Sequence, residues 1–392
     1  MKLLWVKADF LHPTVGGKQI RTLETLKPLH RRHEIHYLAL HDGNPEAIAR
    51  SSEYCTRAYA VPHKAPEKNT VAFAGQLVKG LVSPLPVAVE RYRSESMKRQ
   101  VEDLCRREKF DCIVCDFLFP APNMPDLSSC VLFQHNVEST IWKRHVQHAA
   151  TPLHRWYFQL QERRMAAYEG EVCRSVKSII AVSETDAEIM KRDYGARRVA
   201  AVPTGVDVEY FTRLQAAAPS DDLVFVGAMD WMPNIDGAQW FVNEILPFIR
   251  KRLPECTLTL AGRKPVPALL DLARKDPRIR VTGTVPDIRP YLWNAKVCIV
   301  PLRIGGGTRL KIFESMAARV PVVSTTVGAE GLPVENGTNI YLADDPQTFA
   351  GRCLELLESK STAQKLAGEA WDMVSSRFSW EAVSREFERL LC

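Results

Sequence analysis

The chain has 392 residues, of which 46% are hydrophobic and 25% charged. That composition builds a sizeable core and excludes wholesale disorder, and the length suggests two or three domains, or two large ones. Fifty-two Lys and Arg against 46 Asp and Glu leave a net charge of +6, which permits anionic substrates or an anionic membrane surface but does not resemble a dedicated nucleic-acid binder.

Ten cysteines are scattered along the chain, some inside apolar runs such as VCIV around Cys298. The density is too low for a disulfide framework, and the thiols read as buried groups in a reducing compartment. The opening MKLLWVKADF holds too short an apolar stretch for a signal peptide and reads as a buried first strand. Residues 71–89 carry one charge, Lys79, but Pro84 and Pro86 would break a helix there. The segment reads as a helix that packs or lies at an interface and then turns, in preference to a membrane span.

Strand and helix patterns then alternate. LLWVKA predicts a first strand, and GGKQIRTLETLKPLHRR a helix with Ile20, Leu23, Leu26 and Leu29 at helical spacing. EIHYLAL, FDCIVCD (110–116) and CVLFQH (130–135) predict further strands, and residues 140–177 one long, basic, partly aromatic helical stretch. KSIIAVS (177–183) follows as a strand and ETDAEIMKRDYG as a helix ending at Gly195. The rhythm restarts with the strand LVFVGAM (223–229), the helical IDGAQWFVNEILPFIRKRL, the strand CTLTLAG (256–262) and the helix VPALLDLARK. IRVTG, VCIVP and VPVVST are further strands, with helices between and after them, and FSWEAVSREFERLL is a final helix. Val- and Ile-rich strands alternating with helices point to an α/β chain with parallel sheets covered on both faces. Two halves are expected, joined near residues 199–211, with the flexible AAAPSDD (216–222) just after the junction.

The strongest local pattern is PLRIGGGTRLKIFESMAARVPVVST (301–325). Gly305, Gly306 and Gly307 form a turn after a strand, Thr308 can cap the next helix, and Arg309 and Lys311 fall in its first turn. Glycines allow close backbone approach, unpaired helix N–H groups attract an anion, and Arg and Lys add charge suited to a diphosphate. Glu314, about one turn after Leu310, puts a carboxylate where it can accept two hydrogen bonds from a ribose diol. A glycine turn leading into a solvated basic helix fits the same spacing equally well. Neither a Walker loop nor a G-x-G-x-x-G fingerprint is present.

Gly16 and Gly17 make a second glycine turn, between the first strand and its helix, where an open parallel sheet binds ligands. Arg21 lies one turn along that helix. On spacing alone an ordinary strand–helix connection is the simpler reading. His135-Asn136, at the end of CVLFQ, suits hydrogen bonds to a sugar hydroxyl or a phosphate, and equally a turn or cap. His30, His33 and His36 straddle a helix-to-strand change, Cys112 and Cys115 share one apolar strand, and His145 and His148 stand alone in a basic helix. All of these read as core or surface groups, not as metal ligands.

At these residues the sequence resembles a known family. GGKQIRTLETLKPLHRRHEIH, QHNVES, IIAVSETD, VPTGVDVEYF, FVGAMDWMPNIDG, LAGRKP and PLRIGGGTRLKIFESMAARVPVVSTTVGAEGL look like landmarks of the group 1, or family 4, retaining glycosyltransferases of the GT-B fold. The resemblance runs over about residues 2–390 and is most specific over 223–332, with a narrower likeness to bacterial sugar transferases associated with exopolysaccharide gene sets. It implies two facing Rossmann-like domains with parallel sheets and an interdomain cleft. Residues 1–205 would form the acceptor-side domain, with the C-terminal helix 378–392 packing back on it, and 206–377 the nucleotide-sugar donor domain. Gly16 and Gly17 would approach the donor diphosphate, His135 the donor sugar, Arg309 and Lys311 the phosphates and Glu314 the ribose, with Arg21 on the acceptor side. His135, Lys311 and Arg309 are the candidate catalytic groups.

Two departures from the family pattern stand out. Gly306 occupies the place of the first of two paired glutamates, and Ala228 follows VG where many members have Arg. Diphosphate binding then leans on Arg309, Lys311, Arg263 and Lys264. The implied activity is a metal-independent glycosyl transfer, with retention, from a nucleotide-diphosphate sugar to a saccharide or lipid-linked acceptor in exopolysaccharide or cell-surface glycan synthesis. The nucleotide sugar is a substrate, so no cofactor is expected. The leaving phosphate would take the acceptor proton, and helix N–H groups and cations would stabilise its developing charge. Rival readings are a nucleotide-sugar epimerase on the same fold and an inactive nucleotide-sugar-binding protein.

The stretch 141–164 interleaves Trp142, Trp156, Tyr157 and Phe158 with Lys and Arg. It suits docking to an anionic bilayer and a lipid-linked acceptor, and equally a helix that packs its aromatics and solvates its charges. The expected location is cytoplasmic, with peripheral attachment at the inner face of the cell membrane. Nucleic acid is not an expected partner.

Overall fold

The strand Lys2–Lys7 (β1) is apolar on both faces, and five of its six residues are buried, as a strand covered by helices on both sides requires. It is the first strand of a computed structural model that describes residues 1–14, 17–63, 83–147, 149, 151–212, 220–304 and 310–391. The chain divides into two compact units, Met1–Pro203 with Val383–Cys392, and Thr204–Ala382.

In the first unit a seven-stranded parallel sheet has the order β3 (Arg57–Pro62), β2 (Glu34–His41), β1, β4 (Cys112–Asp116), β5 (Cys130–Gln134), β6 (Ser178–Ala181), β7 (Val199–Ala201). In the second, six parallel strands run β10 (Ile279–Val281), β9 (Leu258–Ala261), β8 (Asp221–Val226), β11 (Ala295–Val300), β12 (Val322–Ser324), β13 (Tyr341–Leu342). Each order reverses once, between β1 and β4 and between β8 and β11. At such a switch point the flanking loops diverge and leave a crevice outside the carboxyl ends of the strands. The register pairs Val6 with Cys115, so the final residues of β1 and β4, Lys7 and Asp116, are neighbours at one of these crevices.

Local chemistry explains the elements around the strands. The helix Gly17–His30 buries Leu23, Leu26 and Leu29, while Ile20 is 42% exposed. Steps of three residues lag the helix by about 60° each, so the first of four such positions turns out of the core. Ser183 caps the helix Glu184–Tyr194 by accepting from Asp186 N, and Gly195 ends it at φ +67°, a conformation glycine adopts at little cost. The final helix, Trp380–Arg389, sends Phe387 against Trp5 and Phe133, with ring centroids 5.6 and 4.8 Å away.

One expectation needs correction. Residues 140–177 are not one helix but two, Glu138–Gln147 and Pro152–Ser175. Thr151 starts the second by accepting from His154 N, with Pro152 in its first turn, and this Thr-Pro pair halts the chain because proline cannot continue a preceding helix. The run 235–253 is helical as expected, with a change of pitch inside it. A π-helical turn, Phe241–Ile245, separates Met232–Trp240 from Leu246–Arg252, where Pro247 has no N–H to continue the ladder. Residues 71–82 and His148 lie outside the described residues. Among the described residues no helix is long and apolar enough to cross a membrane.

Candidate active site

The second unit's crevice is lined by the turns that follow β8, β9 and β11. Gly227 follows β8 and Gly262 follows β9. A side chain on Gly262, whose φ is +155°, would lie 1.7 Å from Gly227 O, so two turns meet where only glycine fits. A Cβ on Gly227 would lie 2.6 Å from Asn234 Nδ2 and 2.9 Å from Lys311 Nζ. The missing side chain is the space those two polar groups use. Asn234 is 2% exposed; its Nδ2 donates to Ala228 O at 2.8 Å and its Oδ1 accepts from Lys311 Nζ at 2.8 Å. The ammonium also sits 4.7 Å from the Phe225 ring centroid, which holds the cation without neutralising it.

Lys311 and Glu314 both belong to the helix Leu310–Ala317. Ser315 Oγ donates to Lys311 O at 2.7 Å. No hydrogen-bond partner holds the Glu314 carboxylate among the described residues. Burial raises its pKa above the ordinary carboxylate value and Lys311 partly opposes the shift, so the carboxylate is an acceptor awaiting donors. Arg263 and Lys264 are exposed on the turn after β9, where Arg263 O accepts from Met229 N at 2.9 Å. Gly305, Gly306, Gly307, Thr308 and Arg309 lie outside the described residues, as does Gly16.

In the first unit the crevice centres on Asp116, which is fully buried. Its Oδ1 accepts from Lys7 Nζ at 2.9 Å and from His135 Nε2 at 2.6 Å. Its Oδ2 accepts from Trp5 Nε1 at 2.8 Å and Thr22 Oγ1 at 2.7 Å. Burial favours the neutral acid, but Lys7 and His135 outweigh it and hold the carboxyl below the usual range. His135 ends up at the close of β5 with its side chain 1% exposed. With Nε2–H given to Asp116, Nδ1 faces Arg21 Nη1 at 3.5 Å, and Arg21 Nη1 also lies 3.4 Å from His135 O. Burial lowers the His135 pKa far below the imidazole value despite the adjacent carboxylate. Lys7 already balances Asp116, so a proton on His135 would add an unbalanced buried charge beside Arg21.

The next residue, Phe117, has φ +82°, a conformation that aromatic residues rarely adopt. Its ring lies under Lys18 Nζ at 3.7 Å, and Lys18 pairs with Glu138 at 2.8 Å. Lys18 follows Gly17, where an added Cβ would meet nothing within 4 Å. The first unit thus brings together Arg21 and His135, with Gly17 one turn before Arg21 on the same helix, and the second unit carries Lys311 and Glu314 on one helix.

Lys7, Thr22, Asp116 and Asn234 were not singled out by the sequence, though Asp116 ends a predicted strand and Asn234 follows VG by seven residues. A third cluster, Glu34, His36 and Glu108, lies at the amino ends of the strands. Lys2 pairs with both glutamates, and Tyr59 Oη lies 3.0 Å from His36 Nδ1, so local partners already occupy it.

The sequence matches the family model described as Glycosyltransferase Family 4 over residues 15–210, and that described as Glycosyl transferases group 1 over residues 220–359. A Klebsiella pneumoniae protein described as an uncharacterized 44.6 kDa protein in the cps region is 22% identical over 169 residues, 41% of this chain and 44% of that protein. The match therefore spans less than half of that relative. Sucrose-phosphate synthase from Thermosynechococcus elongatus superposes with a TM-score of 0.67 at 16% identity, over 99% of this chain and 98% of its own. HepE from Anabaena, solved in complex with UDP, superposes at 0.64 with 15% identity, over 100% and 99%. These likenesses speak to fold, and the two family models speak to descent. The chain belongs to family 4 of the group 1 glycosyltransferases and has their GT-B fold, with one parallel α/β sheet in each unit.

Proposed function

We propose that this glycosyltransferase moves a sugar, with retention and without a metal, from a nucleoside-diphosphate sugar held on its second unit. The acceptor is a saccharide or a lipid-linked saccharide in the synthesis of a surface polysaccharide. The observation that carries this reading is the pairing of Lys311, braced by Asn234 over Gly227, with the Glu314 carboxylate three residues on, which has no hydrogen-bond partner among the described residues. Lys311 would meet a phosphate and Glu314 the ribose hydroxyls. Exposed Arg263 and Lys264 would supply charge that Ala228 cannot. By family resemblance, Gly305, Gly306 and Gly307, with Thr308 and Arg309, would complete the diphosphate grip, and Gly16 and Gly17 would be further donor-binding residues. The leaving diphosphate would be stabilised by these fixed donors and cations and would itself accept the acceptor proton.

The UDP complex of HepE makes UDP the first nucleotide to try, and the cps-region relative supports a polysaccharide context. In this proposal the enzyme works on the cytoplasmic side of the cell membrane. Leu153 and Trp156, 72% and 54% exposed around Arg155, support peripheral contact with an anionic surface.

Melting temperature measured across UDP, GDP, ADP and their sugars tests the reading. A bound nucleotide stabilises by mass action, and Lys311→Ala should weaken it by about 10- to 100-fold, the worth of a charge-assisted hydrogen bond. No response to any nucleotide, or an unchanged one in Lys311→Ala, would refute it. Epimer formed from a donor alone would favour the epimerase, and binding without sugar release over all donors the inactive protein.

A further inference from the structure

A cavity of about 420 Å³ opens on the second unit at the amino ends of β11 and β12, the opposite end of that sheet from the crevice. Its size is usual for a ligand cleft, about 300–1,000 Å³. None of the residues named for the donor site lines it. The helices Pro346–Glu358 and Lys360–Arg377 form one wall. Ser359 ends the first and caps the second by accepting from Thr362 N at 3.3 Å, so the wall is a tight corner between two capped helices. The floor is aliphatic: Pro321, Leu356 and Ala367 are buried, and Leu357 and Ala363 half-buried.

Three exposed cations, Lys296, Arg319 and Lys360, stand on the rim, and no acidic side chain lines the cavity among the described residues. Asp222 engages Lys296 at 2.7 Å. No carboxylate pairs with Arg319 or Lys360 among the described residues. Arg319 lies over the Trp371 ring, 3.9 Å from its centroid, a contact that leaves the N–H edge of the guanidinium able to donate. Two residues after the helix Leu310–Ala317, Arg319 has φ +58°, a left-handed position that glycine usually takes. An arginine is thus held where the backbone favours a residue with no side chain.

A cationic rim over an aliphatic floor is the complement of an anion with a hydrocarbon tail. The tail gains from burial and the head from charge-assisted hydrogen bonds. A free phosphate would leave the floor empty. A sugar would find one side-chain acceptor for its hydroxyl protons, Gln364 Oε1, because Lys and Arg only donate. Among the described residues none of the large exposed hydrophobics lies on the rim, so the mouth has no apolar collar to enter a bilayer and suits an occupant from solution.

We propose that this cavity binds a free, single-chain organic anion, a medium-chain carboxylate or alkyl phosphate, with its head on Arg319 and Lys360 and its tail against Leu356, Leu357 and Ala363. The test is calorimetric titration of the full chain with hexanoate, octanoate, octyl phosphate, 1-octanol and inorganic phosphate, with UDP titrated in parallel. Arg319→Gly combined with Lys360→Gln removes the head contacts and gives the left-handed position its preferred residue. Ala363→Phe fills the cavity from the second helix and keeps the test open if the double variant fails to fold, which thermal melts establish.

Both octyl anions should bind, and octanoate should exceed hexanoate by about tenfold, the worth of two buried methylenes. 1-Octanol and inorganic phosphate should each bind at least about tenfold more weakly than octanoate. The double variant should weaken octanoate by about tenfold and Ala363→Phe should abolish its binding, with UDP affinity unchanged within about twofold in both. No binding of either octyl anion, equal binding of hexanoate, 1-octanol or inorganic phosphate, or binding that survives in both variants would each overturn the site. A double variant that no longer sediments with anionic lipid vesicles would give the cavity to a bilayer lipid and overturn the free anion. Octanoate binding of the expected kind in a protein that ignores every nucleotide would sink the donor reading and leave this site standing.

Discussion

His135 Nε2 lies 2.6 Å from Asp116 Oδ1, and the two side chains are 1% and 0% exposed. A neutral imidazole is fixed there in one tautomer, because Asp116 can only accept and Lys7 already supplies the balancing charge. The folded protein therefore refuses a proton that the unfolded chain takes up near pH 6.5. The sign follows from the lowered folded pKa of His135: its penalty is absent above about pH 6.5 and grows as pH falls below it. Denaturant unfolding of the wild type and of His135→Asn, compared at pH 7 and pH 5, should differ by up to about 2 kcal/mol more at the higher pH. A pH-independent difference would mean that His135 takes up a proton as readily in the folded protein as in the unfolded chain, and a difference that shrinks at the higher pH would mean that it is charged when folded.

The same carboxylate makes Lys7 and Asp116 hostages to each other. Both are buried, at 3% and 0% exposure. Asp116→Leu leaves an ammonium without a counter-charge, and Lys7→Met leaves a carboxylate with less than it needs. Each should cost about 3–5 kcal/mol, whereas Lys7→Met combined with Asp116→Leu should cost less than the two losses added. Chemical denaturation of the three variants supplies the cycle.

Gly227 and Gly262 touch, yet their substitutions should act differently. Alanine at Gly262 would meet backbone, Gly227 O at 1.7 Å, at φ +155°. Alanine at Gly227 would meet two side-chain ends, Asn234 Nδ2 and Lys311 Nζ. Gly262→Ala should lose upwards of about 2 kcal/mol of stability. Gly227→Ala should lose less and instead displace Lys311, so that nucleotide affinity falls more than melting temperature does. Calorimetric titration with UDP, set beside thermal melts of both variants, separates the two effects.

These sites divide by how far apart their partners lie in the chain. Strands buried on both faces, such as β1 and β11, announce themselves as unbroken apolar runs, and their parallel arrangement followed from alternation with helices. The edge strand β3 did not, because five of its six residues are half-buried or exposed and only Val61 is buried. Strand β13 spans two residues. Lys311 and Glu314 are legible because glycines and a helix start flank them locally. Asn234 is not, since it meets Lys311 across 77 residues, and Lys7 meets Asp116 across 109. Such pairs exist only once parallel strands are in register.

The exposed tip of the helix Pro152–Ser175 gives a separate test of membrane contact. Leu153 and Trp156 project from its first turns, while Phe158 is packed against Trp142 and His145 at 6.2 and 5.6 Å. Replacing Leu153 and Trp156 with Ser should leave the packed cluster and the melting temperature unchanged within about 0.5 kcal/mol. Sedimentation with vesicles of anionic lipid at low salt should fall severalfold, and added salt should weaken the wild-type interaction. Equal sedimentation of variant and wild type would remove this tip from any membrane role.

Glu314 offers the sharpest discrimination within the donor site. Its carboxylate has no hydrogen-bond partner among the described residues, and burial raises its pKa, so it gains most from a ligand that brings two hydroxyl donors. Wild-type protein should therefore prefer UDP to 2′-deoxy-UDP by about tenfold or more, the worth of one hydrogen bond to a charged group. Glu314→Ala should bind both nucleotides weakly and alike. Glu314→Gln, which keeps one acceptor oxygen, should fall between them. The pH dependence has a definite sign: as pH drops toward the raised pKa, the carboxylate protonates, loses acceptor strength, and the preference for UDP narrows in the wild type but not in Glu314→Gln. Lys311→Ala should weaken both nucleotides equally, because a phosphate contact does not sense the ribose, and a preference that survived in Glu314→Ala would assign the ribose to another residue.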